Sequence, residues 1–149
     1  MRVIAFDLGR NMAWAHNAGK RLEWGTKTFD GVRASRFRDM SMFVPLILAY
    51  SPPFDIVVYE TPFARGRDAT RSMWGFAGIL EARATEANIA VLDVAVPTIK
   101  KFAAGNGHAP KDAMILAAKK FGYKGSNDNE ADAICLLKYA EANLEYGEK

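Results

Sequence analysis

The sequence predicts an α/β fold: a mixed five-stranded sheet with helices on both faces. Three observations predict it. The chain opens with three strand-like runs in succession, which imply an antiparallel meander. Two further strand-like runs then alternate with helical segments, the pattern of parallel strands joined by right-handed crossovers. The rest of the chain is helical, enough to cover both faces of such a sheet.

Each element has its own local reason. Val3 to Asp7 is an apolar run ending in a carboxylate, with Gly9 just beyond. Met12 to Asn17 and Arg21 to Thr28 read as two more strands, joined by a turn at Asn17-Ala18-Gly19-Lys20, where glycine permits positive φ. Ser35 to Tyr50 carries Phe37, Met40, Val44, Ile47 and Leu48 at helical spacing. Pro45 inside it predicts a kink or an early end. Asp55 to Glu60 is a fourth strand and again delivers a carboxylate at its C-terminal end. Thr61 to Asp68 is a polar loop. Ala69 to Ala87 is a long helix with Met73, Phe76, Leu80 and Ala84 on one face. Ala90 to Val94 is the fifth strand. Pro97 to Phe102 starts a short helix, and Ala103 to Ala109 is a glycine-rich loop. Pro110 to Phe121 is a helix ended by Gly122. Asp128 to Ala142 is the last helix, with Asp128 read as its N-cap. Trp14 and Trp24, both on the meander, are expected to pack one face of the sheet.

Composition narrows the function classes. The chain has 149 residues, half of them hydrophobic and a quarter charged, which fits one globular domain over residues 1–149. Its single cysteine, Cys135, excludes an internal disulfide. Among Ala133, Ile134, Leu136 and Leu137 it reads as a small core hydrophobe rather than a reactive thiol. The longest apolar stretch, Met42 to Tyr50, cannot span a bilayer, and the opening apolar run is too short for a secretion signal. A cytoplasmic protein, in a bacterial cell or a phage-infected host, with no membrane partner is the expectation. The net charge of +3 permits a polyanionic partner without demanding one.

Three acidic positions share a pattern. Asp7 and Glu60 end apolar strands, and Asp132 lies near the start of the last helix between alanines. Functional groups of α/β sheets gather at the C-terminal ends of the parallel strands. If the first and fourth strands are neighbours, Asp7 and Glu60 meet there, and a helix packed on the sheet brings Asp132 to face them. Gathered carboxylates repel one another, and hard divalent cations such as Mg²⁺ or Mn²⁺ would neutralise them. Taken alone, Asp7 is as readily a turn residue, and Asp128 is a cap at least as readily as a ligand.

At these residues the sequence resembles the RuvC family of Holliday junction resolvases, within the RNase H-like superfamily. Val3-Ile4-Ala5-Phe6-Asp7-Leu8-Gly9 is similar to the family's first catalytic strand, with Leu8 where proline is usual. Tyr59-Glu60-Thr61-Pro62-Phe63 is similar to its second acidic motif. From Ile99 to Lys111 the chain places a lysine, a G-x-G loop and a second lysine at the family's spacing. Glu130-Ala131-Asp132-Ala133 is similar to its closing motif. The resemblance implies an RNase H-like fold. It makes Asp7, Glu60 and Asp132 catalytic carboxylates that hold Mg²⁺ or Mn²⁺. It makes Phe63 an aromatic wedged against bases at a junction centre, and Lys100 and Lys111 cations near the scissile phosphate. It implies a homodimer that cuts paired strands of a four-way junction or related branched DNA. The family usually has Asp or His three residues before the closing aspartate. Here that position is Asn129, so either Asp128, one helical turn before Asp132, or Asn129 is the fourth ligand.

Nucleic-acid binding needs cations that reach phosphates. Arg65, Arg67 and Arg71 follow Glu60, and Lys100, Lys101, His108 and Lys111 surround Gly105 and Gly107. Any one of them alone reads as an ordinary solvated side chain. The expected function is a metal-dependent endonuclease resolving Holliday junctions. The alternatives are an RNase H-like nuclease acting on flaps, forks or RNA–DNA hybrids, and a junction-binding protein without catalysis. An actin-like ATP-binding protein shares the opening strand, but one short domain offers no second lobe to close on a nucleotide.

Overall fold

The computed structural model describes residues 1–19, 21–63 and 66–144. The strands are β1 (Val3–Asp7), β2 (Asn11–His16), β3 (Glu23–Thr28), β4 (Ile56–Glu60) and β5 (Ala90–Val94). The helices are α1 (Arg33–Leu48), α2 (Arg67–Glu86), α3 (Val96–Ala104), α4 (Lys111–Lys120) and α5 (Asp128–Asn143). The sheet order is β3-β2-β1-β4-β5. The first three strands pair antiparallel, while β1–β4 and β4–β5 are parallel. The expected mixed five-stranded sheet is therefore present, with every element in the expected order.

β1 is central, and Val3 through Phe6 are fully buried. Successive side chains of a strand point to opposite faces, and the two cores divide accordingly. Val3 and Ala5 of β1, with Ile56 and Val58 of β4, pack in a core under α5 and α4. Ile4, Phe6 and Val57 pack in a second core with Met40 and Val44 of α1 and Phe76 and Leu80 of α2. Met73 is only half-buried at the edge of that face. Cys135 is buried in the α5 core, and burial pushes its thiol up to about 12, so it is a core residue as expected.

Three local expectations are corrected. Pro45 does not end α1, which runs on to Leu48. A helical proline leaves the carbonyl four residues back without its amide donor. Here Ser41 O accepts from Arg83 Nε of α2 at 3.0 Å, so the neighbouring helix satisfies what the proline removes. The N-cap of α5 is Asn127, whose Oδ1 accepts from Glu130 N at 3.0 Å, and Asp128 is the first helical residue. Trp14 and Trp24 lie on opposite faces: Trp14 packs on Phe43 of α1, and Trp24 on Tyr123. The reason is register. Trp14 pairs with Gly25, which puts its neighbour Trp24 on the other face. A β-carbon at Gly25 would sit 2.4 Å from the Trp14 ring, so the ring needs glycine opposite it.

Candidate active site

Parallel pairing fixes the first two carboxylates. Phe6 pairs with Tyr59, so the next residues, Asp7 and Glu60, emerge side by side where β1 and β4 end. Asp7 shares its strand face with Val3 and Ala5, and Glu60 with Ile56 and Val58. That is the face covered by α5. Ala131 and Ala133, both fully buried, let the start of α5 pack closely on the sheet, with Asp132 between them.

These side chains line one cavity of about 370 Å³, together with Asp128, Asn129, Lys111 and Phe63. Its electrostatics are those of crowded anions. Burial raises the Asp7 carboxyl well above its ordinary value, and the charges of Glu60, Asp132 and Asp128 raise it further. Asp132 is pushed up to about 6, first by burial and then by Asp128, against the pull of Lys100 and Lys111. Lys111 Nζ forms an ion pair with Asp128 Oδ2 at 3.4 Å. Asp128 therefore already holds a cation, while Asn129 lines the same cavity.

The donors are hard oxygens, the set that suits Mg²⁺ or Mn²⁺. Among the described residues, however, no group of three or more His, Cys, Asp or Glu side chains stands close enough to hold one ion. The chemistry of the set fits a divalent cation. The spacing as it stands does not close on one.

Phe63 is held outward by what precedes it. Thr61 N donates to Val94 O at 2.9 Å and Thr61 Oγ1 to Asp93 Oδ2 at 2.7 Å, which ties the segment to the end of β5. Pro62 is buried and Phe63 is 52% exposed. Beyond Phe63 lies a second cavity, of about 330 Å³, which Lys100, Gly107 and His108 also line. Arg67, Arg71 and Lys101 are exposed and line neither cavity. Arg65 lies outside the described residues.

Sequence reasoning missed the network that seats α5. Glu130 accepts from Tyr123 OH at 2.8 Å and from Thr26 Oγ1 at 2.7 Å, and Asn127 N donates to Tyr123 OH at 2.8 Å. Burial and the Glu130 carboxylate push Tyr123 up to about 12, so it remains a donor. This network joins β3, the α4–α5 connection and the first turn of α5, and so orients Asp128, Asn129 and Asp132. Glu130 stood in the closing motif, but nothing in its spacing pointed to Tyr123 or Thr26.

No protein-family model matches the chain. A curated relative, the crossover junction endodeoxyribonuclease RuvC of Beijerinckia indica, is 29% identical over 148 residues, covering 94% of this chain and 84% of the relative. The structure of Thermus thermophilus RuvC matches with a TM-score of 0.73 and 20% identity, over 95% of this chain and 96% of that one. The chain is RuvC-like. Thermus thermophilus RuvC in complex with a Holliday junction substrate matches with a TM-score of 0.76 and 22% identity, over 94% of this chain and 93% of that one. The RuvC-like fold accords with the motif resemblance along nearly the whole chain. No helix among the described residues is long and apolar enough to cross a membrane.

Proposed function

We propose that this RuvC-like chain is a metal-dependent endonuclease that resolves Holliday junctions and related branched DNA. The observation that carries this reading is the meeting of Asp7, Glu60, Asp132, Lys111 and Phe63 on one cavity. Asp7, Glu60 and Asp132 would hold the divalent cation, Mg²⁺ or Mn²⁺, and either Asn129 or Asp128 would complete the set. The ion pair of Asp128 with Lys111 favours Asn129 for that fourth place. A bound cation would supply activation of water and charge stabilisation at the leaving oxygen. Lys111, 82% exposed, reaches out over the cavity and would meet the scissile phosphate. Phe63 would stack on bases at the open centre of a junction, a contact of about 1–3 kcal/mol per base. Lys100 would take a neighbouring phosphate, and Arg65, Arg67, Arg71, Lys101 and His108 would add only diffuse attraction to the DNA. A homodimer would carry two such cavities, one for each strand cut. Exposed Trp74 on α2 is a candidate for its seam. Such an enzyme would act in the cytoplasm.

The spacing of the carboxylates favours one rival reading, a protein that binds junctions without cutting them. One experiment separates the two. Wild type and Asp7→Asn are assayed on a four-way junction, a fork, a plain duplex and an RNA–DNA hybrid, with Mg²⁺ and with Mn²⁺. The expected result is junction cleavage by wild type and loss of at least about 10³-fold in Asp7→Asn with binding kept. Binding without cleavage by the wild type selects the rival. Preference for the hybrid, or full cleavage by Asp7→Asn, overturns the proposal.

A further inference from the structure

Helix α1 ends in the longest apolar stretch of the chain, Met42 to Tyr50. The core uses only part of it. Met40, Val44 and Leu48 are buried against the sheet, and Ser41 faces α2 through Arg83. Met42, Pro45, Leu46 and Ala49 point the other way, at the i, i+3, i+4 and i+7 spacing of one helix face. Met42 is 67% and Leu46 72% exposed, and Pro45 and Ala49 are exposed beside them. The outer side of a surface helix is ordinarily polar, and a stretch that is apolar all round marks a helix with a neighbour on each side. The stripe also lies far from the candidate active site. Tyr50, just beyond α1, packs on His16, which pairs with Ile4 near the start of β1. Asp7 and Glu60 emerge at the other end of those strands, so DNA held there leaves the stripe uncovered.

We propose that this stripe pairs with the same stripe of a second copy of the chain, the two α1 helices lying antiparallel about a two-fold axis. Two features of α1 select that occupant. The stripe is self-complementary. With the axis level with Val44, Met42 of each copy meets Leu46 of the other, an isologous contact. The second feature is charge. Arg38 lies one turn before Met42 on the same helix face, and antiparallel pairing carries it to the C-terminal end of the other α1. That end has no basic side chain in its last turn, and its outward carbonyls form the negative pole of the helix, which favours a cation. Arg38 can turn towards it. Its ion pair with Asp39, at 2.9 Å, is exposed, and exposed pairs hold weakly. A lipid surface is the poorer match, because no lysine or arginine stands between Met42 and Ala49 to meet headgroups. The stripe is on a different helix from Trp74, so copies joined through α2 are linked onward through α1.

The test is sedimentation equilibrium without DNA, from about 5 to about 300 µM chain, since an interface this narrow belongs to the weak, transient class. Wild type associates as its concentration rises. Leu46→Lys weakens that step at least about tenfold, as loss of a central contact does, and Arg38→Ala weakens it about threefold. Trp74→Ala leaves it in place. Register is tested by oxidising an equal mixture of Met42→Cys and Leu46→Cys chains, in which the native Cys135 is buried and silent. Mixed disulfide dimers form in excess of like pairs. Wild-type association that Leu46→Lys leaves untouched, absence of association across the whole range, or cross-links that favour like pairs overturns the proposal. Recruitment of wild type to phosphatidylcholine vesicles, abolished in Leu46→Lys while the mass in solution stays unchanged, assigns the stripe to lipid and overturns it too. Neither arm uses DNA, so the result does not bear on the nuclease reading.

Discussion

Replacing Asp132 with Asn is expected to make the metal-free protein more stable at neutral pH. Asp132 is pushed from its ordinary 3.8 up to about 6, largely by burial and by Asp128. A carboxyl that holds its proton more tightly when folded favours the folded state at low pH. That advantage is complete below its unfolded value and is lost as pH rises through its folded one. At pH above about 7 the ionised Asp132 therefore destabilises the fold by at most roughly 3 kcal/mol, from the shift at 1.36 kcal/mol per unit. Asn removes the charge and keeps the shape. Its amide is also buried, so the net gain is about 1–3 kcal/mol. Asp7 adds to the gain with the same sign, because Asp132 is one of the charges that raises it. The assay is urea unfolding of wild type and Asp132→Asn in EDTA, at several pH values from about 4 to 7.5. The stability gap should be small at about pH 4, open as pH rises from there to about 6, and stay level above about 7. Adding Mg²⁺ should narrow or reverse it, since the cation stabilises only the set that binds it. A gap independent of pH, or a wild type more stable than the variant at neutral pH in EDTA, would refute the electrostatic account of the cavity.

Two further outcomes follow from the same structure. Arg83→Met should lower stability by about 1–2 kcal/mol in urea unfolding, by leaving Ser41 O and Oγ without the guanidinium. The loss should shrink when Pro45→Ala returns an amide donor to α1, which a double-mutant cycle measures. Lys111→Met should reduce the dependence of junction affinity on salt, the slope of log K against log salt falling by about one, with no loss of helical signal in circular dichroism.

Much of this was legible because it depends on short-range rules. β1 and β4 announce themselves as apolar runs closed by Asp7 and Glu60, and their pairing follows from the crossover logic of alternating strands and helices. The motif resemblance added the roles that spacing alone left open. The missed features depend on contacts between distant segments. The faces of Trp14 and Trp24 are set by the Trp14–Gly25 register, which neither strand encodes by itself. The cap of α5 fell one residue before the expected Asp128, because Asn127 and Asp128 are both good capping residues and only the Glu130 N contact separates them. The second cavity is built by the segment after β4, the start of α3 and the G-x-G loop, so no single stretch carries its signature. Of the arginines after Glu60, Arg67 and Arg71 ride on α2, two residues out of step with Ala69 and Met73, and so stand on the helix face opposite the one that lines the cavity.

The cost of the carboxylate cavity follows from where its side chains are rooted. Asp7 comes straight after four fully buried residues of the central strand, and Asp132 stands between fully buried alanines on a helix fixed by the Tyr123–Glu130–Thr26 network. Neither backbone can retreat from the repulsion without breaking a core. The repulsion can therefore relax only by rotation of the side chains away from one another, or by protonation, or by a cation. The second is seen in the raised affinity of Asp7 and Asp132 for protons. A divalent ion would take the place of those protons, met by rotation of the side chains. The scaffold then needs no refolding to bind it, and the stability lost in its absence measures how strongly the site is built to receive a cation.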